Sequence, residues 1–320
     1  MINVFYKVFN EVDFLKESLE NIYDYCDKIT LLEFSLGGMR NIINPDRIST
    51  DGLSADGTTE LIQDFIATQD PDKKIVHEKL GTLTCDENLI YQYMIDSIDV
   101  GDYMWVIDGD IVYPKDFAKK LYRLITLNKY DVFWIKEFVF WHDFFHIHIP
   151  FTETQTHQRI LKKVSHLCFY FPSCYEVHWL NNNNDKHTRW FRREENIVWE
   201  DGTYYSKFFD PVIDFAYHYS YVRSDQRILE KLLYQYDMID RKWENTAARE
   251  HCIVYDNPLK FKLETMGYFN YPMDETVVKW DKDHPENMKK NKWFDYHWDE
   301  QPRIMTYEEA CKLVNPRTEC

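Results

Sequence analysis

What most constrains this chain is the alternation in its first half, where short apolar runs take turns with amphipathic helical patterns. Strand-like runs occur at 2–9, 28–34, 74–78 and 103–108. Between them, 13–25 sets Phe14, Leu15, Leu19 and Ile22 at helical spacing. The segment 58–68 does the same with Leu61, Ile62, Phe65 and Ile66, and 86–98 with Leu89, Ile90, Tyr93, Met94 and Ile98. Apolar residues recurring every three to four positions make one buried helix face, whereas unbroken apolar runs suit strands covered on both sides. The order predicts an α/β fold whose sheet has parallel neighbours. Thr58, after Asp56-Gly57, stands where the N-cap of the second helix belongs.

The fourth run, Tyr103-Met104-Trp105-Val106-Ile107, ends in Asp108-Gly109-Asp110. Ligands of open α/β sheets bind at the carboxyl ends of the strands, and two carboxylates one residue apart there suit a divalent cation and a phosphate. That is the chemistry of a nucleotide-sugar site. The same residues also suit a solvated turn after a strand, so the rest of the chain has to decide.

Charge and composition narrow the partners. A formal net charge of −16 over 320 residues argues against a nucleic-acid backbone or an anionic membrane surface as the main partner. Seven cysteines form an odd set without a C-x-x-C pair, as expected of reduced thiols in a cytoplasmic protein. No cationic segment followed by an apolar signal core opens the chain. The most hydrophobic stretch, 132–151, is interrupted by Lys136, Glu137, His142, Asp143, His146 and His148, which predicts no integral membrane segment. Aromatic residues make up 17% of the chain and gather in its middle and toward its end; Trp141, Trp179 and Trp190 are candidates for stacking on a sugar as well as for packing. His142, His146 and His148 lack the partner cysteines a zinc site would favour.

Beyond Asp110, 114–127 reads as a helix and 130–137 as a strand, whereas 138–222 has poorer periodicity, with an exposed loop at Asn181-Asn182-Asn183-Asn184-Asp185. A helix is expected from 224 to about 243. No repeat or low-complexity linker marks off a separate C-terminal domain.

Taken in order, these segments form one pattern: Val8-Phe9-Asn10-Glu11 after the first strand, Glu33 at the end of the second, Ser54-Ala55-Asp56-Gly57-Thr58 opening a helix, Asn88 on the third helix, then Asp108-Gly109-Asp110. The pattern resembles the nucleotide-binding half of family 2 glycosyltransferases. The resemblance covers about the first 115 residues and continues more weakly to Lys231, through Gln158-Arg159-Ile160-Leu161-Lys162-Lys163, Tyr175-Glu176-Val177 and Tyr217-His218-Tyr219-Ser220-Tyr221-Val222-Arg223.

The resemblance implies the GT-A fold: a Rossmann-like nucleotide-binding half with a mixed, mainly parallel central sheet at 1–112 and an acceptor-binding half at 113–223. A helical C-terminal extension is expected at 224–320. It implies a metal-dependent, inverting transfer of a sugar from a nucleoside-diphosphate sugar, with UDP the family's best guess, to a hydroxyl acceptor such as a glycan. Mn²⁺ or Mg²⁺ is then expected on Asp110, with Asp108 ligating it or reaching the ribose and His218 as a third ligand. Around the nucleotide sugar the resemblance sets Lys7, Val8, Phe9, Glu11, Glu33, Asn88, Asp108, Gly109 and Arg159. Glu176 is expected as the base that takes the acceptor's proton, ahead of Asp143, Glu153 and Asp201.

Two stretches depart from the pattern. Residues 34–53 intervene between Glu33 and the Ser-x-Asp-Gly-Thr segment, and Asp86-Glu87 stand where an arginine often precedes the asparagine. A cation for the pyrophosphate must therefore come from Arg159, Lys162 or Arg223. Two other functions would use the same carboxylates: phosphoryl chemistry by a nucleotidyltransferase or phosphohydrolase, and sugar binding without turnover. A nucleotidyltransferase calls for a glycine-rich, lysine-bearing loop after the first strand, which Phe9-Asn10-Glu11-Val12 does not offer.

Overall fold

Four parallel strands carry the first half of the molecule: β1 (Ile2–Val8), β2 (Lys28–Leu36), β3 (Ile75–Leu83) and β4 (Tyr103–Asp108), standing in the order β3-β2-β1-β4. They are joined through α1 (Leu15–Ile22), α2 (Thr58–Gln69) and α3 (Glu87–Asp96). The structure, a computed structural model, describes residues 1–36, 47–83, 87–128, 132–148, 156–163, 167–169, 177–180, 186–187, 197–198, 204–205, 215–224, 227–228, 231 and 277–297.

The strands are buried on both faces, which is why they read as near-continuous apolar runs. Side chains alternate across a strand. Ile2, Val4, Tyr6 and Val8 of β1 and Tyr103, Trp105 and Ile107 of β4 pack with Leu15, Leu19 and Ile22 of α1. Phe5, Met104 and Val106 point the other way, onto Ile90, Met94 and Ile95 of α3. Each such side chain contributes roughly 1.5–3 kcal/mol on burial. That packing, more than helix propensity, holds an element as short as α1.

Between β1 and β4 the strand order reverses, since β2 and β3 lie to one side of β1 and β4 to the other. At such a switch point the loops leaving adjacent strand ends diverge and open a crevice. Asn10-Glu11 leaves β1 there and Asp108-Gly109-Asp110 ends β4 there, with Lys7 and Asp108 as register partners.

After β5 (Ile111–Val112) and α4 (Lys115–Thr126), the sheet continues with β6 (Val132–Trp141), β7 (His146–His148) and β8 (Thr156–Lys162). Strand β8 runs antiparallel between β4 and β6. Two small sheets follow, one of β9 (Leu167–Phe169), β10 (Val177–Leu180) and β11 (Lys186–His187), the other of β12 (Ile197–Val198) and β13 (Tyr204–Tyr205). Strand β14 (Ala216–Tyr221) then returns to the main sheet and pairs with β5 and β6. The expected architecture is observed: a mixed α/β fold with a parallel first half to its central sheet.

Of the segment 224–320, residues 227, 228 and 231 are helical, β15 (Val277–Lys279) pairs with β7, and Glu286–Lys290 forms a 3-10 turn. Trp280 and Met288 join Phe14, Phe140, Phe144 and Tyr219 in an aromatic cluster. The remainder of the expected helical extension lies outside the described residues. Among the described residues no helix is long and apolar enough to cross a membrane. One local expectation is corrected: the N-cap of α2 is Gly57, at φ 98°, while the Thr58 hydroxyl accepts from Glu11 N at 2.8 Å. A left-handed residue is needed at that corner, and glycine adopts it without a Cβ penalty.

Candidate active site

Period-2 alternation turns Lys7 and Asp108 to the same face of adjacent parallel strands, and Lys7 Nζ lies 3.1 Å from Asp108 Oδ1. Because β8 lies between β4 and β6, Arg159 reaches both neighbours. Its Nη1 donates to Asp108 Oδ2 at 2.9 Å and its Nε to Glu137 Oε1 at 2.7 Å.

Strand β14 brings the second half of the site. Its register pairs His218 with Ile111, one residue beyond Asp110, and with Val139, two beyond Glu137. His218 therefore sits between two carboxylates, Nε2 at 3.3 Å from Asp110 Oδ1 and Nδ1 at 3.1 Å from Glu137 Oε2. The chain leaving β14 adds three donors to Asp110 Oδ2: Ser220 Oγ at 2.9 Å, Arg223 Nη2 at 3.0 Å and Lys231 Nζ at 2.8 Å. Arg223 also donates to Glu11 Oε2 at 2.5 Å, and Arg227 donates to Asp56 Oδ2 at 3.3 Å.

Glu11 is aimed into the site by Asn10, which takes a left-handed φ of 56° that asparagine tolerates. Asn10 N donates to Ser54 Oγ at 3.0 Å and its Oδ1 accepts from Ala55 N at 3.1 Å, tying the end of β1 to the loop before α2. Gly109 is required by close approach: a Cβ there would stand 2.7 Å from Glu11 Cγ.

The result is a dense cluster in which the carboxylates Glu11, Asp108, Asp110 and Glu137 alternate with Lys7, Arg159, His218, Arg223 and Lys231. Burial alone would raise Asp108, but Lys7 and Arg159 outweigh it and hold the carboxylate well below its usual range. Asp110 is likewise lowered, against its burial, chiefly by Lys231 and His218. Burial opposes a charged His218, yet Asp110 and Glu137 raise it to about 9. Glu11 goes the other way: burial lifts it to about 7, ahead of the opposing pull of Arg223. At neutral pH Asp108 and Asp110 are ionised and His218 carries a proton.

The expected divalent cation was tested against this donor set. Mg²⁺ and Mn²⁺ take unencumbered carboxylate oxygens and, for nitrogen, the neutral imidazole. Here each oxygen of Asp108 and Asp110 already meets a protein cation. Both ring nitrogens of His218 already face carboxylate oxygens, Nε2 that of Asp110 and Nδ1 that of Glu137. Among the described residues no group of three or more His, Cys, Asp or Glu is arranged to hold a metal ion. As arranged, these residues do not fit the metal.

Of the residues the sequence pointed to, Lys7, Glu11, Asp108, Gly109, Asp110, Arg159 and His218 come together at this site. Val8 is buried in the core cluster with α1, and Phe9 is half-buried beyond it. Glu33 is fully buried at the end of β2: Oε1 accepts from Ser54 N at 3.0 Å and Thr59 Oγ1 at 2.6 Å, and Oε2 lies 2.8 Å from His77 Nε2. Asn88 lies on α3, its side chain outside the described residues, as is the whole of Glu176. Trp141 is fully buried and His146 Nδ1 lies 2.8 Å from Asp143 Oδ1, so both belong to the fold. Glu137, Ser220, Arg227 and Lys231 were not among the expected site residues. The signals for them were an acid inside an apolar run and basic residues at 223, 227 and 231, the four-residue spacing of one helix face.

No protein-family model and no curated protein matches the chain. Among solved structures the chain is similar to S. aureus TarS 1–349, with 14% identity over 43% of this chain and 36% of that one, at a TM-score of 0.30. The same fragment in complex with UDP-GlcNAc gives 14% identity over 43% and 34%, at 0.30. A third likeness is to 4-diphosphocytidyl-2C-methyl-D-erythritol synthase from Anaerococcus prevotii, with 11% identity over 51% and 71%, at 0.28. The chain thus spans about a third of the TarS fragment it matches.

Proposed function

We propose that this protein is an inverting glycosyltransferase that moves a sugar from a nucleoside-diphosphate sugar, UDP being the first nucleotide to test, to the hydroxyl of an acceptor such as a glycan. The observation that carries the reading is the coincidence of Asp108-Gly109-Asp110 with the switch point of a parallel sheet, faced by Lys7, Arg159, Arg223 and Lys231. The crevice receives a nucleotide, and the cations there suit a diphosphate leaving group.

In the proposed reaction the acceptor oxygen attacks the anomeric carbon, the bond from that carbon to the β-phosphate oxygen breaks, and the electron pair leaves with the nucleoside diphosphate. The acceptor proton passes to a carboxylate on the opposite side of the sugar, the part assigned to Glu176 by resemblance. Asp108, with 29% of its side chain exposed, is the member of the pair that a ribose hydroxyl reaches. Asp110, at 2%, stays beneath it and sets the positions of Arg223 and Lys231. The odd set of seven cysteines without a C-x-x-C pair supports placing the enzyme in the cytoplasm.

The test is a panel of nucleotide sugars screened for thermal stabilisation, followed by NMR of the anomeric proton of the product with the stabilising donor. Stabilisation by one donor and inversion of its anomeric configuration are expected. Indifference to the whole panel would overturn the reading.

A further inference from the structure

The donor set that does not fit a divalent cation fits another means of neutralising a diphosphate. We propose that the pyrophosphate of the donor is held by Lys231, backed by the charge of the buried Arg223, in place of a metal ion, and that binding and transfer proceed without one; this rests on the glycosyltransferase reading above.

Three features carry it. Asp110 is buried, and its Oδ2 meets Ser220, Arg223 and Lys231, so any incoming cation would have to displace the two resident cations or sit beside them. Like charges at such range repel strongly where water is excluded. Second, Lys231 combines contact with that buried acid and exposure, with 26% of its side chain accessible against 4% for Arg223. An ammonium with three donors, anchored from below by Asp110 and Ser220 and open above, is poised to take a phosphate oxygen without leaving its anchor. Third, Arg223 in the bend after β14 and Arg227 and Lys231, both helical and four residues apart, are each fixed to the loops that rim the crevice: Arg223 to Glu11, Arg227 to Asp56 and Lys231 to Asp110. The three are therefore oriented before any ligand arrives, and little ordering remains to be done on binding.

The experiment titrates the full chain with UDP, GDP, CDP and dTDP by calorimetry, in chelator and again with Mn²⁺ or Mg²⁺, alongside Lys231→Met, Lys231→Arg and the parent nucleosides. One nucleoside diphosphate is expected to bind with the same affinity, within about twofold, in chelator and in metal. Loss of one charge-assisted contact in Lys231→Met should weaken it about tenfold or more under both conditions. Lys231→Arg should restore most of the loss, and nucleoside binding should stay unchanged in a Lys231→Met chain whose melting temperature confirms folding. Binding that disappears in chelator and returns with metal overturns the inference and leaves the glycosyltransferase reading standing. Binding by Lys231→Met equal to the wild type also overturns it. Failure of every nucleoside diphosphate in both conditions overturns the inference and the reading together.

Discussion

Two buried carboxylates stand near the carboxyl edge of the same sheet, Glu33 on β2 and Asp110 just beyond β4, and the groups that satisfy them differ in kind. Glu33 is held by a backbone amide, a hydroxyl and one imidazole, from the loop before α2, the first turn of α2 and β3. Asp110 is held by a hydroxyl, an imidazolium, a guanidinium and an ammonium, all from a segment more than a hundred residues away. A backbone amide and a hydroxyl spent in this way fix a loop. Cations fixed by an acid keep a charge that a phosphate can share. The contrast separates a carboxylate that shapes the crevice from one that arms it.

The sharpest way to break this comparison is Asp110→Asn. Removing one member of a buried charge cluster leaves the others uncompensated and should cost ~3–5 kcal/mol in urea unfolding. Because a diphosphate would supply part of the missing negative charge, the bound nucleotide should raise the melting temperature of this variant more than that of the wild type. Glu33→Gln should cost less, ~1–3 kcal/mol, through unsatisfied neutral donors around Ser54 and Thr59. It should give the same ligand-induced rise as the wild type. Equal ligand responses in the two variants would erase the distinction.

Gly109→Ala sharpens the role of Glu11, whose Cβ and Cγ lie 2.8 and 2.7 Å from the position of the added methyl. Shifting Glu11 away from Arg223 should cost about 1 kcal/mol, the low end for over-packing, and should weaken nucleoside-diphosphate binding. A variant with unchanged affinity would remove Glu11 from the site.

A pH-dependent effect separates a buried neutral group from both acids. His284, between Tyr219 Oη at 2.9 Å and Phe144 O at 2.7 Å, is lowered by burial from 6.5 to about 4. The unfolded chain binds its proton first as pH falls, so the stability that neutral His284 contributes is present above 6.5 and is lost between about 6.5 and about 4. His284→Gln should flatten the stability profile in that window. Glu33 also contributes more above 4.5 than below, since burial, which opposes the charged form, is outweighed by the hydrogen bonds from His77, Thr59 and Ser54. Glu33→Gln should therefore change the profile only below about 4.5.

The parallel half of the fold was legible because its strands are covered on both faces and its helices are amphipathic, so Ile2–Val8, Thr58–Gln69 and Tyr103–Asp108 announce themselves locally. Asp108 and Asp110 were legible for the same reason, as acids ending an apolar strand. The partners of Glu33 were not, since Ser54 and His77 are 21 and 44 residues away and only the β2–β3 register and the intervening loop bring them close. Glu137 was hidden differently. Within the apolar run Val132–Trp141 it reads as an interruption, and only the pairing of β8 with the first part of β6 and of β14 with the second gives it Arg159 and His218. The basic residues at 223, 227 and 231 had the spacing of a helix face, but their targets, Asp110 for Arg223 and Lys231 and Asp56 for Arg227, were settled by tertiary pairing of β14 with β5.

The central claim is that the carboxylate-cation cluster at the ends of β1 and β4 receives a nucleoside diphosphate through its protein cations. A crystal structure of the full chain grown in chelator with the tightest-binding nucleoside diphosphate tests it most directly. The β-phosphate is expected within hydrogen-bond distance of Lys231 Nζ, above an Asp110 that keeps its contacts to Lys231 and Arg223. A diphosphate seated away from Lys231 would contradict the claim.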